Sequence, residues 1–208
     1  MNDNNTSIKE HIYRSLLKDI IEGNYSPDQV LNEKNLMEQY QVSRSPIREA
    51  LVELCKEKVL YSIPYYGYKI TPLTEQDIYN VKTYRCILEC GFMSECWHKF
   101  TPETLSALEA LKNSQLKNGA RQEAIRHWND NIDFHLAFFR IYENDYAYET
   151  LRSAMSMQTR AYVQIRMTQQ HSPFFEETSV FHKSILEAVK RNDKTTAVSL
   201  MRADIMSI

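Results

Sequence analysis

The chain has 208 residues and a formal net charge of −2, with a pI near 6.3, a balance that excludes a polycationic coat for DNA but not a local cationic patch. Only four glycines and six prolines interrupt it, and no long uncharged apolar run offers a membrane span. The polar opening Met1-Asn2-Asp3-Asn4-Asn5 lacks the pattern of a signal peptide, so a cytoplasmic and mostly α protein is expected.

Residues Thr6 to Glu22 are predicted to form a helix with Ile8, Ile12, Leu16 and Ile20 on one stripe. A short helix follows, with Asn32 as its cap and Leu36, Met37 and Tyr40 as its apolar face. Gln41-Val42-Ser43 is a turn-sized link. The next helix is capped by Ser43 or Ser45, tolerates Pro46 in its first turn, and buries Ile47, Ala50, Leu51 and Leu54. Arg44 and Arg48 lie four apart and project from one side of its N-terminal end. Two short helices with arginines opening the second read as a helix-turn-helix, whose recognition helix offers its first residues to base edges. Leu60-Tyr61-Ser62-Ile63 and Tyr68-Lys69-Ile70-Thr71 are strand-like, and Pro64-Tyr65-Tyr66-Gly67 between them is turn chemistry. Helix, helix and hairpin make a winged helix-turn-helix. Pro72 disfavours helix at Thr71, which sets a boundary between a DNA-binding domain, residues 1–72, and a second domain, residues 73–208.

From Thr74 onward the pattern changes to long amphipathic helices. Starts or ends fall near Thr74, Lys99, Thr101-Pro102, Asn118-Gly119, Arg121, Tyr142, Asn144-Asp145, Met167, Ser172-Pro173 and Asn192-Asp193. These limits define an all-helical antiparallel bundle of six helices. Several polar groups fall on its apolar stripes: His135 among Ile125, Trp128, Ile132, Leu136 and Phe139, with Asn131 at the edge. His182 falls within the stripe of Thr178, Phe181, Ile185 and Val189, and Asp204 within that of Ala197, Leu200, Met201 and Ile208. A buried carboxylate needs a partner. A divalent cation held by Asn131, His135, His182 and Asp204 would serve all four, and the donors do not choose among zinc, nickel and manganese. The alternative is a pair of ordinary core histidines with Asp204 paired to an arginine. Arg85 and Glu89 share a stripe with Ile78, Val81, Leu88 and Phe92, either as an internal ion pair or with Arg85 clamping a small carboxylate effector. Arg160 and Arg166 are weaker candidates, expected to face solvent. Cys55, Cys86, Cys90 and Cys96 match no zinc-finger spacing and read as reduced thiols, although Cys86 and Cys90 share a helix face that a redox sensor or soft metal would also use.

The first domain resembles the GntR-type bacterial transcription regulators. The likeness runs from Ile20-Ile21-Glu22-Gly23 through Leu31 and Ser43-Arg44-Ser45-Pro46-Ile47-Arg48-Glu49-Ala50-Leu51 to Gly67. Asp28 and Lys58 stand where that family usually has glycine. The second domain resembles the FCD effector-binding domain of the FadR branch in Pro72-Leu73-Thr74, Arg85 with Leu88-Glu89, Phe134-His135, Asn144, and His182 with Ile185-Leu186. Many members hold a metal with one Asp and three His, and a carboxylate effector completes the shell. Carried over by position, Asn131 replaces the Asp and Asp204 the last His. The resemblance implies a homodimeric, ligand-responsive regulator, usually a repressor, that reads a pseudo-palindromic operator in double-stranded DNA. Arg44 and Arg48 would meet base edges, with Pro46 between them. Ser43, Ser45 and Lys34 would hold phosphates, and Tyr66 with Gly67 would carry the wing. Two rivals are a metal-dependent helical enzyme with an N-terminal interaction module and a winged helix that binds protein. The enzyme lacks a general base beside the donors and leaves Arg44 and Arg48 without a role, so no catalysis is expected.

Overall fold

A computed structural model describes residues 7–115, 123–168 and 178–207. The chain falls into two compact units, Met1–Thr74 with Arg160–Thr168, and Glu75–Thr159 with Gln169–Ile208.

In the first unit, α1 (Ile8–Ile21), α2 (Glu33–Tyr40) and α3 (Arg44–Lys56) precede an antiparallel hairpin of β1 (Leu60–Ile63) and β2 (Gly67–Ile70). Asn32 caps α2 by accepting the Asn35 N–H at 2.8 Å, as its position predicts. Ser43 stands at the cap of α3 but its side chain makes no capping bond, and Ser45 instead donates to Glu49 at 2.8 Å. The stripes of the three helices meet in one core of Ile12, Leu16, Ile20, Leu36, Ile47, Leu51 and Leu54, closed by Leu31, Leu60 and Ile70. Ile8, expected on that stripe, is exposed because it opens the first turn of α1. The strand register pairs Leu60 with Ile70 and Ile63 with Gly67, so β2 begins one residue earlier than its β-branched and aromatic run suggests.

Two backbone positions shape the wing. Leu31 forms a bridge to Tyr68 through a reciprocal pair of N–H to C=O bonds, each 2.8 Å. Beside it Gly67 has φ +142°, and a Cβ there would lie 2.6 Å from the Leu31 carbonyl oxygen. Only glycine fits that approach. Lys58, at the entry to the wing, has φ +56°, the left-handed region that glycine adopts without strain and lysine does not. Asp28, the other departure, shows no positive φ.

In the second unit the helices are α4 (Glu75–Glu95), α5 (Pro102–Gln115), α6 (Glu123–Tyr142), α7 (Asp145–Thr168), α8 (Thr178–Lys190) and α9 (Lys194–Ser207). The first ends at Glu95 and a 3-10 turn, Trp97–Lys99, continues to the limit read from sequence. Asn144 caps α7 by accepting the Ala147 N–H, and Asp193 caps α9 by accepting the Thr196 N–H. Phe134, Phe138, Phe139, Leu151, Met155, Ile185 and Met201 build the core. Asn118-Gly119, Arg121, Ser172-Pro173 and Ile208 lie outside the described residues, as do the side chains of Ile125, Trp128, Thr178 and Arg166. Arg160 is buried and groups with the first unit, contrary to the solvent-facing expectation. Cys86 and Cys90 are buried free thiols, and burial pushes Cys90 up to about 11. Among the described residues no helix is long and apolar enough to cross a membrane.

Candidate functional site

The candidate DNA-facing side follows from the amphipathicity of α3. Ile47, Ala50, Leu51 and Leu54 are buried on one side, which turns Arg44 and Arg48 outward, and both are exposed. Arg44 Nε lies 3.2 Å from Glu33 Oε2 and Lys34 Nζ 4.0 Å from Glu38 Oε1. Such surface pairs contribute little, so both cations are free to exchange partners for phosphate or base. Lys34, Arg44 and the wing tip share one open groove of about 430 Å³. Ser43 and Ser45 are exposed beside the arginines, Pro46 is half-buried, and Tyr65 and Tyr66 stand exposed at the end of the wing.

The second feature is a buried polar chain across five helices of the bundle. Gln158 Oε1 accepts from Arg85 Nη1 at 2.7 Å, and Arg85 Nε donates to Glu89 at 2.8 Å. The other Glu89 oxygen meets His135 Nδ1 at 2.5 Å. On its far side His135 Nε2 lies 2.9 Å from Asp204 Oδ2, and His182 Nε2 lies 3.6 Å from the same oxygen. His182 Nε2 is also 3.1 Å from Asn131 Oδ1. Phe134 stacks on the His182 ring at 3.7 Å and holds its plane. All seven polar residues of this chain are buried.

The chemistry of this chain is that of converging donors. The His135–Asp204 distance is within hydrogen-bonding range, yet the approach lies off the bonding direction. Neither Asp204 oxygen nor His135 Nε2 has a hydrogen-bond partner among the described residues. His135, His182 and Asp204 each aim one ligand atom at a common space, all within 4.8 Å of one another. Tetrahedral zinc with ordinary bond lengths separates its ligand atoms by about 3.4 Å, and the two distances to Asp204 bracket that value. The set therefore fits a divalent cation, with Asn131 Oδ1 beside it as a fourth donor. Burial raises the Asp204 carboxyl, but His135 and His182 outweigh it and hold the group well below the usual carboxylate range. Burial pushes His182 down to about 4, so it is neutral and able to ligate. Burial also acts against the His135 cation, yet the Glu89 carboxylate beside it raises this imidazole overall.

Sequence reasoning placed Asn131, His135, His182 and Asp204 together, and they are together. It left Glu89 as the ion-pair partner of Arg85 and did not link it to His135. Gln158 was missed, because a lone glutamine in a long helix carries no signal of its own. Arg85 is fully buried in the same chain, and its Nη2 has no hydrogen-bond partner among the described residues.

A winged helix-turn-helix joined to a helical bundle is the architecture of a DNA-binding transcription regulator. Residues 8–70 match the family model "Bacterial regulatory proteins, gntR family" and residues 77–206 match the FCD domain. The chain belongs to the GntR family of bacterial transcription regulators and carries an FCD domain. It is 23% identical over 201 residues to the HTH-type transcriptional repressor GlaR of Escherichia coli K12, covering 94% of this chain and 91% of that one. It is 25% identical to the gluconate operon transcriptional repressor of Bacillus subtilis, over 86% of this chain and 74% of that one. Among solved structures, E. coli McbR/YncC superposes with TM-score 0.74 at 20% identity, covering 96% and 94% of the two chains. A transcriptional regulator GntR from Rhodococcus sp. RHA1 gives 0.72 at 19% identity, covering 95% and 93%. These likenesses are of fold.

Proposed function

We propose that this chain is a homodimeric repressor whose helical unit binds a divalent cation together with a small carboxylate effector. The observation that carries the reading is Asp204, a fully buried carboxylate whose two oxygens lack hydrogen-bond donors among the described residues while two imidazole nitrogens flank it. His135, His182, Asp204 and Asn131 would hold the ion, zinc, nickel or manganese by donor type. The ion would supply positive charge that offsets Asp204 and draws in an anion. Glu89 accepts from His135 Nδ1 and so turns Nε2 toward the ion. Arg85 Nη2, Gln158 Nε2 and Asn131 Nδ2 are buried donors without partners among the described residues, and three spare donors favour a ligand that only accepts. Arg85 is the residue to clamp its carboxylate, since a guanidinium matches that geometry.

At the DNA, Arg44 and Arg48 make the base-edge contacts. Lys34, Ser43 and Ser45 hold phosphates around Pro46, and Tyr66 with Gly67 carry the wing into the adjacent groove. Tyr84, Ile87 and Tyr146 are exposed apolar side chains of the bundle, and a second copy covering them would pair two reading heads on a pseudo-palindrome. The effector shifts DNA affinity only through unequal affinity for two states of the dimer. The relatives named repressors favour that sign of regulation.

One purified set of proteins tests both halves. Wild type should bind a random duplex with steep loss as salt rises, and Arg44→Ala with Arg48→Ala should abolish specific binding with the melting curve unchanged. Elemental analysis should find about one equivalent of a divalent metal per chain in wild type and none in His135→Ala. Metal absent from both would leave a buried histidine–aspartate ion pair in its place and sink the metal reading.

A further inference from the structure

Tyr65 is the residue that neither turn chemistry nor packing accounts for. Tyr66 N–H donates to the Ile63 carbonyl at 3.1 Å, which closes a four-residue turn with Pro64 second and Tyr65 third. Tyr65 has φ +63°, so the turn follows the type II pattern, and the third place of that turn belongs to glycine or asparagine. A bulky ring there is strained. Nothing is gained from burial in return, because Tyr65 is fully exposed and Tyr66 beside it is 65% exposed. The hairpin below holds its shape through the Leu31–Tyr68 bridge and the close seat of Gly67. The tip shares its groove with the cations Lys34 and Arg44. An apolar ring is thus held out on a braced support, next to charges suited to phosphate. Local rules broken without local compensation mark functional positions.

We propose that Tyr65 is an aromatic wedge, which enters a base-pair step flanking the sequence read by α3 and selects DNA whose flanks kink easily. The proposal rests on the DNA-reading role of α3. A side chain pressed into the minor groove partly unstacks one step. Pyrimidine–purine steps resist this least, so preference arises at bases that receive no hydrogen bond. Tyr65 would therefore determine specificity at the flanks, and Arg44 and Arg48 at the centre.

The test is selection from a pool of random duplexes with full-length wild type, Tyr65→Gly and Tyr65→Phe, followed by affinity and melting measurements. Wild type should enrich a central motif flanked by TA or CA steps. Tyr65→Gly should keep the central motif, lose the flanking preference, bind the wild-type duplex about tenfold more weakly, and melt at a higher temperature because its turn is relaxed. Tyr65→Phe should behave as wild type, since the ring and not the hydroxyl does the work. Tyr65→Gly with unchanged flanks and affinity would overturn the wedge. So would Tyr65→Phe as weak as Tyr65→Gly, which would indicate a hydroxyl contact to phosphate. A wild type that enriches no motif removes the DNA-reading role, and the wedge with it.

Discussion

Glu89 faces two ways: one oxygen meets Arg85 a helical turn earlier, the other meets His135 across the bundle. Burial raises its carboxyl, but the Arg85 guanidinium and the His135 imidazole together hold it below its ordinary range. Glu89→Gln preserves the shape and removes the charge. The single amide oxygen can then accept from Arg85 or from His135 but not from both. The His135 tautomer is less firmly fixed, and affinity for the proposed metal should fall about 10- to 100-fold, read by competition with a chelator. Unchanged affinity would mean that Glu89 does not orient His135. The sequence revealed that Glu89 and His135 each lie on an apolar stripe, because periodicity gives the inward face of each helix. It did not reveal that they touch. That contact depends on how far each helix is rotated and slid against its neighbour, which no single helix encodes. Gln158, brought into the chain by the same packing, was hidden for the same reason.

At the scale of elements, the recognition helix was legible because its signals are local: a serine at the cap, a proline in the first turn, and four apolar residues at helical spacing. The wing was only half legible. Its hairpin shows in β-branched and aromatic runs, but the Leu31–Tyr68 rung joins residues far apart in the chain, and a one-residue bridge leaves no pattern. Two glycine-related positions test this element in opposite directions. Gly67→Ala places a Cβ 2.6 Å from the Leu31 carbonyl and should cost about 1–3 kcal/mol. Lys58→Gly relieves a left-handed lysine and should add about 0.5–1 kcal/mol. Urea melts of the two variants measure both. If Gly67→Ala were as stable as wild type, the close seat of the wing would be wrong.

For the whole molecule, stability and acidity are coupled through the two buried histidines. In metal-free protein, His182 is pushed down to about 4 by burial, so the folded state resists a proton that the unfolded chain takes near pH 6.5. Its contribution is complete above about pH 6.5 and is lost as the pH falls toward 4, on the order of 3 kcal/mol. His135 acts with the opposite sign. Burial alone would lower it, yet Glu89 raises it, so its contribution is present below about pH 6.5 and fades as the pH rises through its folded value. Urea midpoints of chelator-stripped protein should therefore peak near pH 6.5. His182→Asn should flatten the acid limb and His135→Asn the alkaline limb, and a pH-independent wild type would refute the assignment of both.

The pair of hydrogen bonds between Leu31 and Tyr68 has one more effect, on distance. It ties the wing to the segment leading into the helix-turn-helix, so tip and recognition helix would act as the two jaws of a calliper with one setting. One extra base pair between the places they touch displaces one jaw by about 3.4 Å and swings it round the duplex axis by about 35°. A jaw that cannot flex cannot follow, so on the proposed reading the protein would measure the operator as well as read it.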